Sequence, residues 1–417
     1  MKLIFLNRFF HPDHSATSQM LSDLAFALAK EGRTVAVIAS RQRYDAPMDI
    51  LPASELIDGV SVYRVWTTRF GRASLPGRAV DYATFYLAAA WRLWRLVRRG
   101  DVVIAETDPP MLSVIAGPLC GRRGARLINW LQDIFPEAAQ VLGIGGRAAR
   151  APLRLLQRLR GRSLRTAYMN VVLGRRMAER VRALGVAGER IRMIPNWADG
   201  TAIAPVEPAA NALRREWQLG DAFVVGYSGN LGRAHEIDTF VEAIALLEKT
   251  PPATGPQRPI LWLFIGSGAL FDVLQAEVAR RQLTSVRFKP YQPKARLAES
   301  LSAADVHLVS LRPALEGLIV PSKFYGIAAA GRPTIFVGDE EGEIAQLIAR
   351  RECGRAVQAG DGIALAGTVR ELAANPELCR RMGQRARHAF ETEFDKPIAL
   401  ARWKKLLVEA FGEMAKE

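Results

Sequence analysis

Residues 3–39, LIFLNRFFHPDHSATSQMLSDLAFALAKEGRTVAVIA, decide the fold class of this chain. A short apolar run at Leu3–Leu6 leads into a loop, after which apolar residues recur at helical spacing from Met20 to Leu28. A second apolar run, Thr34–Ala39, follows soon after. Two buried strands joined by a helix predict a parallel sheet that is covered by helices on both faces.

The alternation of strands and helices occurs twice along the chain. It continues to about residue 197, stops in a proline-containing stretch over 196–222, and restarts at an apolar run over Phe223–Tyr227. We therefore predict an α/β protein with two doubly wound, Rossmann-like domains, 1–197 and 198–395, that face each other across a cleft. Ligands of such sheets bind beyond the carboxyl ends of the strands, so we expect a site in the loops that follow them.

The composition is that of a globular protein, but the charge is unevenly distributed. Of 417 residues, 49% are hydrophobic and 24% are charged, which excludes disordered and fibrous classes. The formal net charge is +15. Residues 1–200 hold 30 Lys and Arg against 16 Asp and Glu, whereas residues 201–417 hold 27 against 26. The basic first half favours a partner such as nucleic acid, anionic lipid or a phosphorylated ligand.

Cysteine usage and hydropathy give predictions about the compartment. The three cysteines are far apart and show no metal-ligand spacing, so we predict no disulfide framework, no zinc site and a reducing cytosol. The N-terminus lacks the apolar core and cleavage site of a signal peptide and is interpreted as a first strand. No apolar run reaches the roughly 18 residues of a membrane span.

Two glycine-containing loops of the second half resemble phosphate-binding loops in composition. Strand Phe223–Tyr227 leads into Ser-Gly-Asn-Leu-Gly-Arg, which ends at Arg233, and a later strand ends in Gly-Ser-Gly at residues 266–268. Glycine lets the backbone approach a ligand, and we expect the helix after each loop to offer free N–H groups at its N-terminus. Neither loop is a complete nucleotide-binding motif, so the alternative is a pair of tight strand-to-helix turns.

A lysine stands at a predicted helix start, where a cation is unfavourable. Pro321 and Ser322 are typical of a helix N-terminus, so Lys323 would lie in the first turn. A positive charge there opposes the helix dipole at a cost of roughly a few tenths of a kcal/mol. Because local rules are most often broken at functional sites, we interpret Lys323 as a ligand-binding residue. The alternative is an exposed lysine that has no function.

Eight short stretches, spread over nearly the whole chain, carry a family resemblance. They are FHPD (10–13), ATSQ (16–19), ETDPP (106–110), QDIFPE (132–137), IPNW (194–197), YSGNLG (227–232), ADVHL (304–308) and VPSK (320–323). In order and spacing they resemble the GT-B glycosyltransferases of family 4, in particular bacterial sugar transferases of the exopolysaccharide and colanic-acid type. The resemblance implies the GT-B fold and a last helix, 396–417, that crosses back to the N-terminal domain.

The resemblance also implies an activity, which is retaining transfer of a sugar from a nucleoside diphosphate sugar. UDP- and GDP-sugars are the candidate donors, with no obligatory metal or other cofactor. The C-terminal domain would bind the donor and the N-terminal domain the acceptor. Cleavage of the sugar–diphosphate bond leaves negative charge on the β-phosphate, which cations and backbone amides stabilise. The residues expected at the donor phosphates are Gly229, Asn230, Gly232, Arg233, Gly266 and Lys323.

Further donor contacts are implied by the resemblance. Glu316 matches an acidic family position that faces the donor sugar, and Tyr291 lies in a segment expected to contact the base through its backbone. The chain departs from the family pattern at three positions, with Gly326 in place of a ribose-binding Glu, His235 in place of Lys and Asn230 in place of Arg. These departures leave the donor geometry open.

Asp133 is the candidate catalytic residue on the acceptor side. It follows a buried strand, Leu127–Trp130, and matches a family position near the reacting sugar. A carboxylate there could orient the acceptor hydroxyl or accept its proton. The alternative is that Asp133 caps a helix that begins near Pro136. Weaker candidates for acceptor binding lie in and after the first strand-to-helix loop, at His11, Ser15 and Thr17.

The densest positive charge lies in an acid-free stretch. Residues 138–178 contain nine arginines and no acidic residue, and several of the arginines recur at helical spacing beside leucines. A second segment, over 91–99, pairs tryptophans with arginines. Both patterns are typical of segments that lie on an anionic membrane, and the alternative is a solvated face of an arginine-rich protein. The residues expected at the membrane are Trp91, Trp94, Arg150, Arg154 and Arg158.

We interpret the chain as a transferase that adds a sugar to a polyprenyl-diphosphate-linked glycan in exopolysaccharide or other surface-polysaccharide synthesis. It would be cytoplasmic and peripherally associated with the inner face of the cytoplasmic membrane. We expect no nucleic acid partner, because the chain shows no recognised nucleic-acid-binding module. The alternatives are a sugar-nucleotide epimerase of the same architecture and a non-catalytic sugar-nucleotide-binding subunit, the latter prompted by Gly326.

Overall fold

A computed structural model describes residues 1–44, 48–71, 75–144, 150–250 and 258–414. The chain divides into two compact units, each built on its own sheet. Unit 1 comprises Met1–Pro195 and Ala399–Glu417, and unit 2 comprises Asn196–Ile398.

In both units strands and helices largely alternate along the chain, as expected of α/β domains. The strands are β1 (Leu3–Leu6), β2 (Val35–Ser40), β3 (Ser54–Ile57), β4 (Val60–Val65), β5 (Val102–Ala105), β6 (Arg126–Trp130), β7 (Met169–Val172), β8 (Ile191–Met193), β9 (Phe223–Asn230), β10 (Ile260–Ser267), β11 (Val286–Lys289), β12 (Val306–Ser310), β13 (Thr334–Gly338) and β14 (Gly354–Gln358). The α-helices are α1 (Ala16–Lys30), α2 (Leu75–Leu96), α3 (Leu112–Arg123), α4 (Glu137–Val141), α5 (Arg150–Thr166), α6 (Arg175–Ala183), α7 (Ala212–Glu216), α8 (Asp238–Lys249), α9 (Phe271–Arg280), α10 (Leu297–Ser302), α11 (Lys323–Ala329), α12 (Glu343–Arg351), α13 (Gly362–Ala374), α14 (Pro376–Ala389) and α15 (Lys396–Met414).

The sheet of unit 1 has eight strands in the order β3-β4-β2-β1-β5-β6-β7-β8. Its strands pair in parallel except for β3, which runs antiparallel to β4 at one edge. Strands β1, β2 and β5 are buried over their whole length, as expected where helices cover both faces of a sheet. Strands β1, β5 and β6 are neighbours in this parallel sheet, so their carboxyl ends lie side by side at one edge.

The sheet of unit 2 has six parallel strands in the order β11-β10-β9-β12-β13-β14. Strands β9 and β10 stay paired over eight residues, up to the pair of Ser267 with Asn230. Tyr227, Trp262 and Phe264 belong to one buried apolar cluster beneath that end. Their packing holds the carboxyl ends of both strands in a fixed register.

Helix α15 packs on unit 1 although it lies at the C-terminal end of the chain. The ring of Trp403 lies 4.6 Å from the ring of Trp130 at the end of β6, and both side chains are fully buried. Arg126 also donates a hydrogen bond of 3.0 Å to the carbonyl oxygen of Ala410. The predicted return of the last helix to the N-terminal domain is confirmed.

The predicted doubly wound α/β architecture is confirmed, with two differences in the strands. Strands β9 and β10 continue through Asn230 and Ser267, so Gly229 and Gly266 lie in strand ends rather than in loops. Strands β3 and β14 carry no clear sequence signal, because they lie at sheet edges and keep polar residues among few apolar ones.

Candidate functional site

Two glycines face each other where β9 and β10 end in unit 2, and we call Gly229 and Gly266 the glycine edge. They are directly paired in the sheet and have φ angles of 120° and 137°. Residues with side chains rarely adopt such angles, and a Cβ on Gly266 would lie 2.3 Å from the carbonyl oxygen of Gly229. A Cβ on Gly229 would lie 2.9 Å from Cε of Lys323. Glycine at position 229 therefore makes room for the lysine.

Lys323 reaches the glycine edge from the first residue of α11. Its Nζ donates a hydrogen bond of 3.0 Å to the carbonyl oxygen of Asn230 and lies 3.1 Å from Nε2 of His235. The ammonium also lies 5.2 Å from the ring centroid of Tyr227, within the range of a cation–π interaction. Burial lowers the pKa of Lys323 to about 8, so the side chain is mostly protonated at neutral pH.

His235 is the buried partner of Lys323. Its Nδ1 lies 2.7 Å from the carbonyl oxygen of Ser310, which can only accept a hydrogen bond. We therefore assign the proton to Nδ1, which leaves Nε2 to accept a hydrogen bond from Lys323. Burial, and then the charge of Lys323, lower the pKa of His235 to about 3, so the imidazole is neutral at physiological pH.

The helix after β9 does not present free amides to the glycine edge. It begins at Asp238, and the carboxylate of Glu236 accepts hydrogen bonds from the backbone N of Asp238 at 2.7 Å and of Thr239 at 3.1 Å. The expectation that the N-terminus of this helix is free to bind a phosphate is therefore wrong. A carboxylate of the chain itself already occupies the position that a bound anion would take.

The remaining predicted donor residues lie at the surface of unit 2. Asn230, Arg233 and Tyr291 are exposed and Gly232 is half-buried. Within the described ranges Arg233 makes no hydrogen bond and no ion pair, so its guanidinium is available to a ligand. Burial raises the pKa of Tyr227 well above its usual value, and the nearby Tyr291 adds to the effect.

Glu316 makes a contact that stabilises the protein itself. It is only 8% exposed, and its Oε1 accepts a hydrogen bond of 2.8 Å from the backbone N of Glu343, where α12 begins. Burial raises the pKa of this carboxyl above its usual value. A role of Glu316 at the donor sugar stays a prediction. At Gly326 a Cβ would meet only Leu301, at 3.5 Å, so steric crowding does not explain the glycine there.

Asp133 lies three residues beyond β6 in unit 1 and is not a helix cap. Helix α4 begins at Glu137 with Pro136 at its N-cap, which excludes the alternative role of Asp133. The Oδ1 of Asp133 is buried and has no hydrogen-bond partner among the residues that the structure describes. Burial raises the pKa of Asp133 to about 6, although a hydrogen bond from Thr107 opposes the shift. The carboxyl is therefore ionised at neutral pH and chemically able to accept a proton.

Glu106 is a second buried carboxyl in the same part of unit 1. It directly follows β5, is 2% exposed, and neither of its oxygens has a hydrogen-bond partner in the described part of the chain. Burial, and then the nearby Asp108, raise the pKa of Glu106 well above its usual value, which favours the protonated form. Glu106 and Asp133 line one cavity of about 20 Å³, which is large enough for a single water. The sequence signal for Glu106 is an acidic residue at the carboxyl end of an apolar strand.

Arg160 lines the same cavity and departs from the pattern of the basic stretch. It is 5% exposed and pairs with Glu137, whereas an arginine on a membrane-facing surface would be exposed. Its Nε and Nη1 have no hydrogen-bond partner within the described residues. One of the nine arginines of residues 138–178 therefore belongs to the interior of unit 1.

The loop after β1 is organised by Asp13, which the sequence pattern did not single out. Its carboxylate accepts hydrogen bonds from the backbone N of Ser15 and of Tyr44. Ser15 in turn caps α1, and Thr17 is half-buried in the first turn of that helix. His11 is exposed at the start of the loop. Acceptor binding by His11, Ser15 and Thr17 stays a prediction.

Helix α2 carries apolar side chains on its exposed face as well as on its buried face. Leu87 is 74% exposed and Trp91 is 62% exposed, whereas Phe85 is fully buried. Trp94 is only half-buried, and the guanidinium of Arg123 lies 3.7 Å from its ring centroid. Of the two tryptophans predicted at the membrane, Trp91 is the more exposed, although the guanidinium of Arg95 lies 5.4 Å from its ring centroid.

Helix α5 combines exposed arginines with exposed leucines. Arg154 and Arg158 are exposed, and Leu155 and Leu159 beside them are 56% and 40% exposed. The side chain of Arg150 lies outside the described residues. None of the helices in the described ranges is long and apolar enough to cross a membrane. The same residues contain no cluster of three or more His, Cys, Asp or Glu that could hold a metal ion.

Comparison with known proteins identifies the family. Residues 16–197 match the model of the glycosyl transferase 4-like domain, and residues 210–389 match that of glycosyl transferases group 1. The probable glycosyltransferase WbjE of Pseudomonas aeruginosa is 31% identical over 283 residues, which cover 67% of this chain and 68% of WbjE. The chain belongs to the GT4-type glycosyltransferases. The putative colanic acid biosynthesis glycosyl transferase WcaI of Escherichia coli (strain K12) is 26% identical over 268 residues, which cover 64% of this chain and 63% of WcaI.

Solved structures show the same fold over nearly the whole length of this glycosyltransferase. Sucrose-phosphate synthase from Thermosynechococcus elongatus matches with a TM-score of 0.78 at 18% identity, covering 99% of this chain and 100% of that structure. WaaG, a glycosyltransferase involved in lipopolysaccharide biosynthesis, matches with a TM-score of 0.67 at 15% identity, covering 95% and 97%. The predicted GT-B fold and the resemblance to exopolysaccharide and colanic-acid-type transferases are confirmed.

Proposed function

We propose that this glycosyltransferase binds the diphosphate of a UDP- or GDP-sugar at the glycine edge of unit 2. The observation that carries the proposal is the half-buried ammonium of Lys323, which the chain holds against Gly229 at a cost in hydration. Arg233, whose guanidinium is exposed, lies three residues beyond the end of β9, the strand that contains Gly229. Anabaena HepE, a solved structure of similar fold with a TM-score of 0.72, is in complex with UDP-glucose, which supports a nucleotide sugar as donor.

The chemistry of the donor explains why cations are needed at this place. When the bond between the anomeric carbon and the diphosphate breaks, the diphosphate oxygen takes the electron pair and its negative charge grows. Preorganised cations in a partly dehydrated site stabilise that charge more strongly than water does. We propose that Lys323 and Arg233 supply them without an obligatory metal ion. Retention of the anomeric configuration is part of the proposal and rests on family membership.

On the acceptor side, we propose that Asp133 orients a sugar hydroxyl or accepts its proton. The unpartnered Oδ1 and a pKa of about 6 suit a carboxylate that is charged at neutral pH and still basic enough to act. The relative WcaI and the structural neighbour WaaG are named for colanic acid and lipopolysaccharide biosynthesis. They support a glycan acceptor in surface-polysaccharide synthesis, which we propose is linked to a polyprenyl diphosphate.

We also propose that unit 1 docks on the anionic inner face of the cytoplasmic membrane. The exposed side chains of Leu87 and Trp91 on α2 are suited to insertion among lipid headgroups. The exposed Arg154 and Arg158 on α5 are suited to anionic lipid, at about 1 kcal/mol for each arginine near the surface. This location would bring the enzyme to a lipid-linked acceptor.

The donor proposal is tested by thermal shift with UDP, GDP and other nucleoside diphosphates. A ligand at 100 times its dissociation constant stabilises the folded protein by about 2.7 kcal/mol. Lys323→Ala and Arg233→Ala should each lose most of this stabilisation. Matched controls are Lys249→Ala and Arg350→Ala, which remove exposed cations of unit 2 and should retain it. Retention of the full shift in Lys323→Ala would contradict the proposal.

Transfer itself is tested with radiolabelled UDP- and GDP-sugars and polyprenyl-diphosphate glycans. We expect label in the lipid product, undiminished by EDTA, and NMR of the product should show the anomeric configuration of the donor. Donor conversion without an acceptor would instead favour an epimerase. Binding without turnover across the acceptor panel would favour a non-catalytic subunit.

Membrane docking is tested by sedimentation with liposomes that contain anionic phospholipid. The double variant Arg154→Glu and Arg158→Glu should bind markedly less than the wild type, and Trp91→Ser should bind less even at low salt. The control is the double variant Arg350→Glu and Arg385→Glu, which makes the same change of charge at exposed positions of unit 2. Equal binding by the Arg154/Arg158 variant and its control would contradict the docking surface.

A further inference from the structure

The contacts of Lys323 use two of the three N–H groups of its ammonium. A lysine ammonium has three N–H groups. One points to the carbonyl oxygen of Asn230 at 3.0 Å, and a second points to Nε2 of His235 at 3.1 Å. In the part of the chain that the structure describes, the third N–H meets no acceptor. Two fixed acceptors therefore determine where the third N–H points.

Both acceptors are themselves held in place by neighbouring groups. The hydroxyl of Tyr227 donates a hydrogen bond of 3.0 Å to the same carbonyl oxygen of Asn230. The imidazole of His235 donates from Nδ1 to the carbonyl oxygen of Ser310 at 2.7 Å, and its ring packs edge-on against Tyr227 with centroids 5.8 Å apart. His235 is 8% exposed, so these contacts hold its ring in a single orientation.

The other titratable groups around His235 do not supply a competing negative charge. On its own segment, Glu236 is committed to the N-terminus of α8. Arg312, which follows β12, donates from Nε to the backbone carbonyl of His235 at 3.3 Å. Tyr227 on β9 stays protonated because burial raises its pKa. Within the described residues, the groups that contact the ammonium are thus all uncharged: the carbonyl oxygen of Asn230, Nε2 of His235 and the ring of Tyr227.

We propose that His235 is a positioning residue that aims one N–H of Lys323 at the β-phosphate of the bound donor. The inference rests on the proposed binding of a nucleoside diphosphate at the glycine edge. A neutral acceptor holds the ammonium without cancelling its charge, which a carboxylate at this place would do. The full charge of Lys323 therefore remains available to the phosphate. The hydrogen bond between His235 and Ser310 fixes the imidazole and so determines where the third N–H of Lys323 points.

The test compares two replacements of His235 by titration calorimetry with UDP, uridine, GDP and guanosine. His235→Leu keeps the volume and removes the acceptor, and we expect about tenfold weaker binding of the diphosphate with unchanged binding of the nucleoside. In His235→Gln the amide can donate to Ser310 and accept from Lys323, so it should restore most of the affinity. A purely structural role would weaken diphosphate and nucleoside equally.

The pH profile separates positioning from packing. In the wild type, diphosphate affinity should fall as the pH rises through about 8, because Lys323 then loses its proton. In His235→Leu the fall should move to lower pH, since a half-buried ammonium with one acceptor fewer is less stable in its charged form. His235→Gln should keep the wild-type midpoint.

The outcomes distinguish the inference from the donor site on which it rests. If His235→Leu binds diphosphate with wild-type affinity and midpoint, the positioning role is overturned while the donor site stands. If Lys323→Ala binds diphosphate like the wild type, the donor site itself is overturned. Nitrogen-15 NMR of histidine-labelled wild-type protein is independent of any variant. It should show His235 neutral and protonated on Nδ1 at pH 6–9, and a proton on Nε2 would overturn the inference.

Discussion

Gly229→Ala should destabilise unit 2 and displace Lys323 at the same time. The φ angle of 120° at this position is nearly restricted to glycine, and forcing alanine into it costs roughly 1–3 kcal/mol. The new methyl carbon would lie 2.9 Å from Cε of Lys323. Carbon atoms are comfortable at roughly 3.5–4.0 Å, so Cε must move by at least about 0.6 Å.

The displacement is large enough to disrupt the contacts of the ammonium. Its hydrogen bonds to Asn230 and His235 are 3.0 and 3.1 Å long, and an outward shift of this size brings them to or beyond the limit of roughly 3.2 Å for a good hydrogen bond. We therefore expect nucleoside diphosphate affinity to fall about tenfold, the equivalent of one charge-assisted hydrogen bond.

Differential scanning fluorimetry with and without UDP or GDP measures both effects. A decrease of 1 kcal/mol in the free energy of unfolding lowers the melting temperature of a domain the size of unit 2 by roughly 2–4 °C. The matched control for the effect on stability is Gly232→Ala, because a Cβ there would meet the side-chain amide of Asn230, at 3.2 Å, which can move aside. Its stability should change by less than about 0.5 kcal/mol. A Gly229→Ala protein with the melting temperature and diphosphate affinity of the wild type would refute the proposed fit between glycine and lysine.

Three further predictions concern charge and capping. Diphosphate affinity should fall as the pH rises through about 8, where Lys323 loses its positive charge, while nucleoside affinity stays constant; a flat calorimetric profile would contradict this. Asp133→Asn should lower the rate of sugar transfer by roughly 10²–10⁴-fold with little change in donor affinity. The wild-type rate should fall as the pH drops through about 6, because the carboxylate of Asp133 is then protonated. A transfer rate of Asp133→Asn near that of the wild type would remove Asp133 from the mechanism. Glu316→Leu should destabilise unit 2 by roughly 1–3 kcal/mol in a urea titration, because it removes the carboxylate that accepts a hydrogen bond from the backbone N of Glu343. Glu316→Gln should retain that hydrogen bond, and equal stability of the two variants would contradict the capping role.

The parts of the site that sequence could predict are those that depend on local rules. Gly229 interrupts an apolar strand, and Lys323 opposes the dipole of the helix that it begins. Both are local conflicts, and the structure brings the two residues together. The fold was predictable for the same reason, since buried parallel strands are apolar over their whole length.

The parts that sequence could not predict depend on contacts between distant segments. The state of His235 depends on Ser310, 75 residues away, and the free amides expected at α8 are occupied by Glu236, which the glycine pattern does not reveal. Helical spacing likewise does not show that Trp94 is covered by Arg123. In each case the residue type alone does not indicate the role of the side chain, because that role depends on its partner in the folded protein.

A crystal structure of the protein with UDP or GDP, whichever binds in the thermal-shift panel, would test the donor site at the glycine edge. We expect the diphosphate at the glycine edge, with a β-phosphate oxygen within about 3.2 Å of Nζ of Lys323. Nζ should keep its contacts to Asn230 and His235 in that complex. A diphosphate bound elsewhere in unit 2, with Lys323 unchanged and not in contact with it, would exclude the proposed donor site.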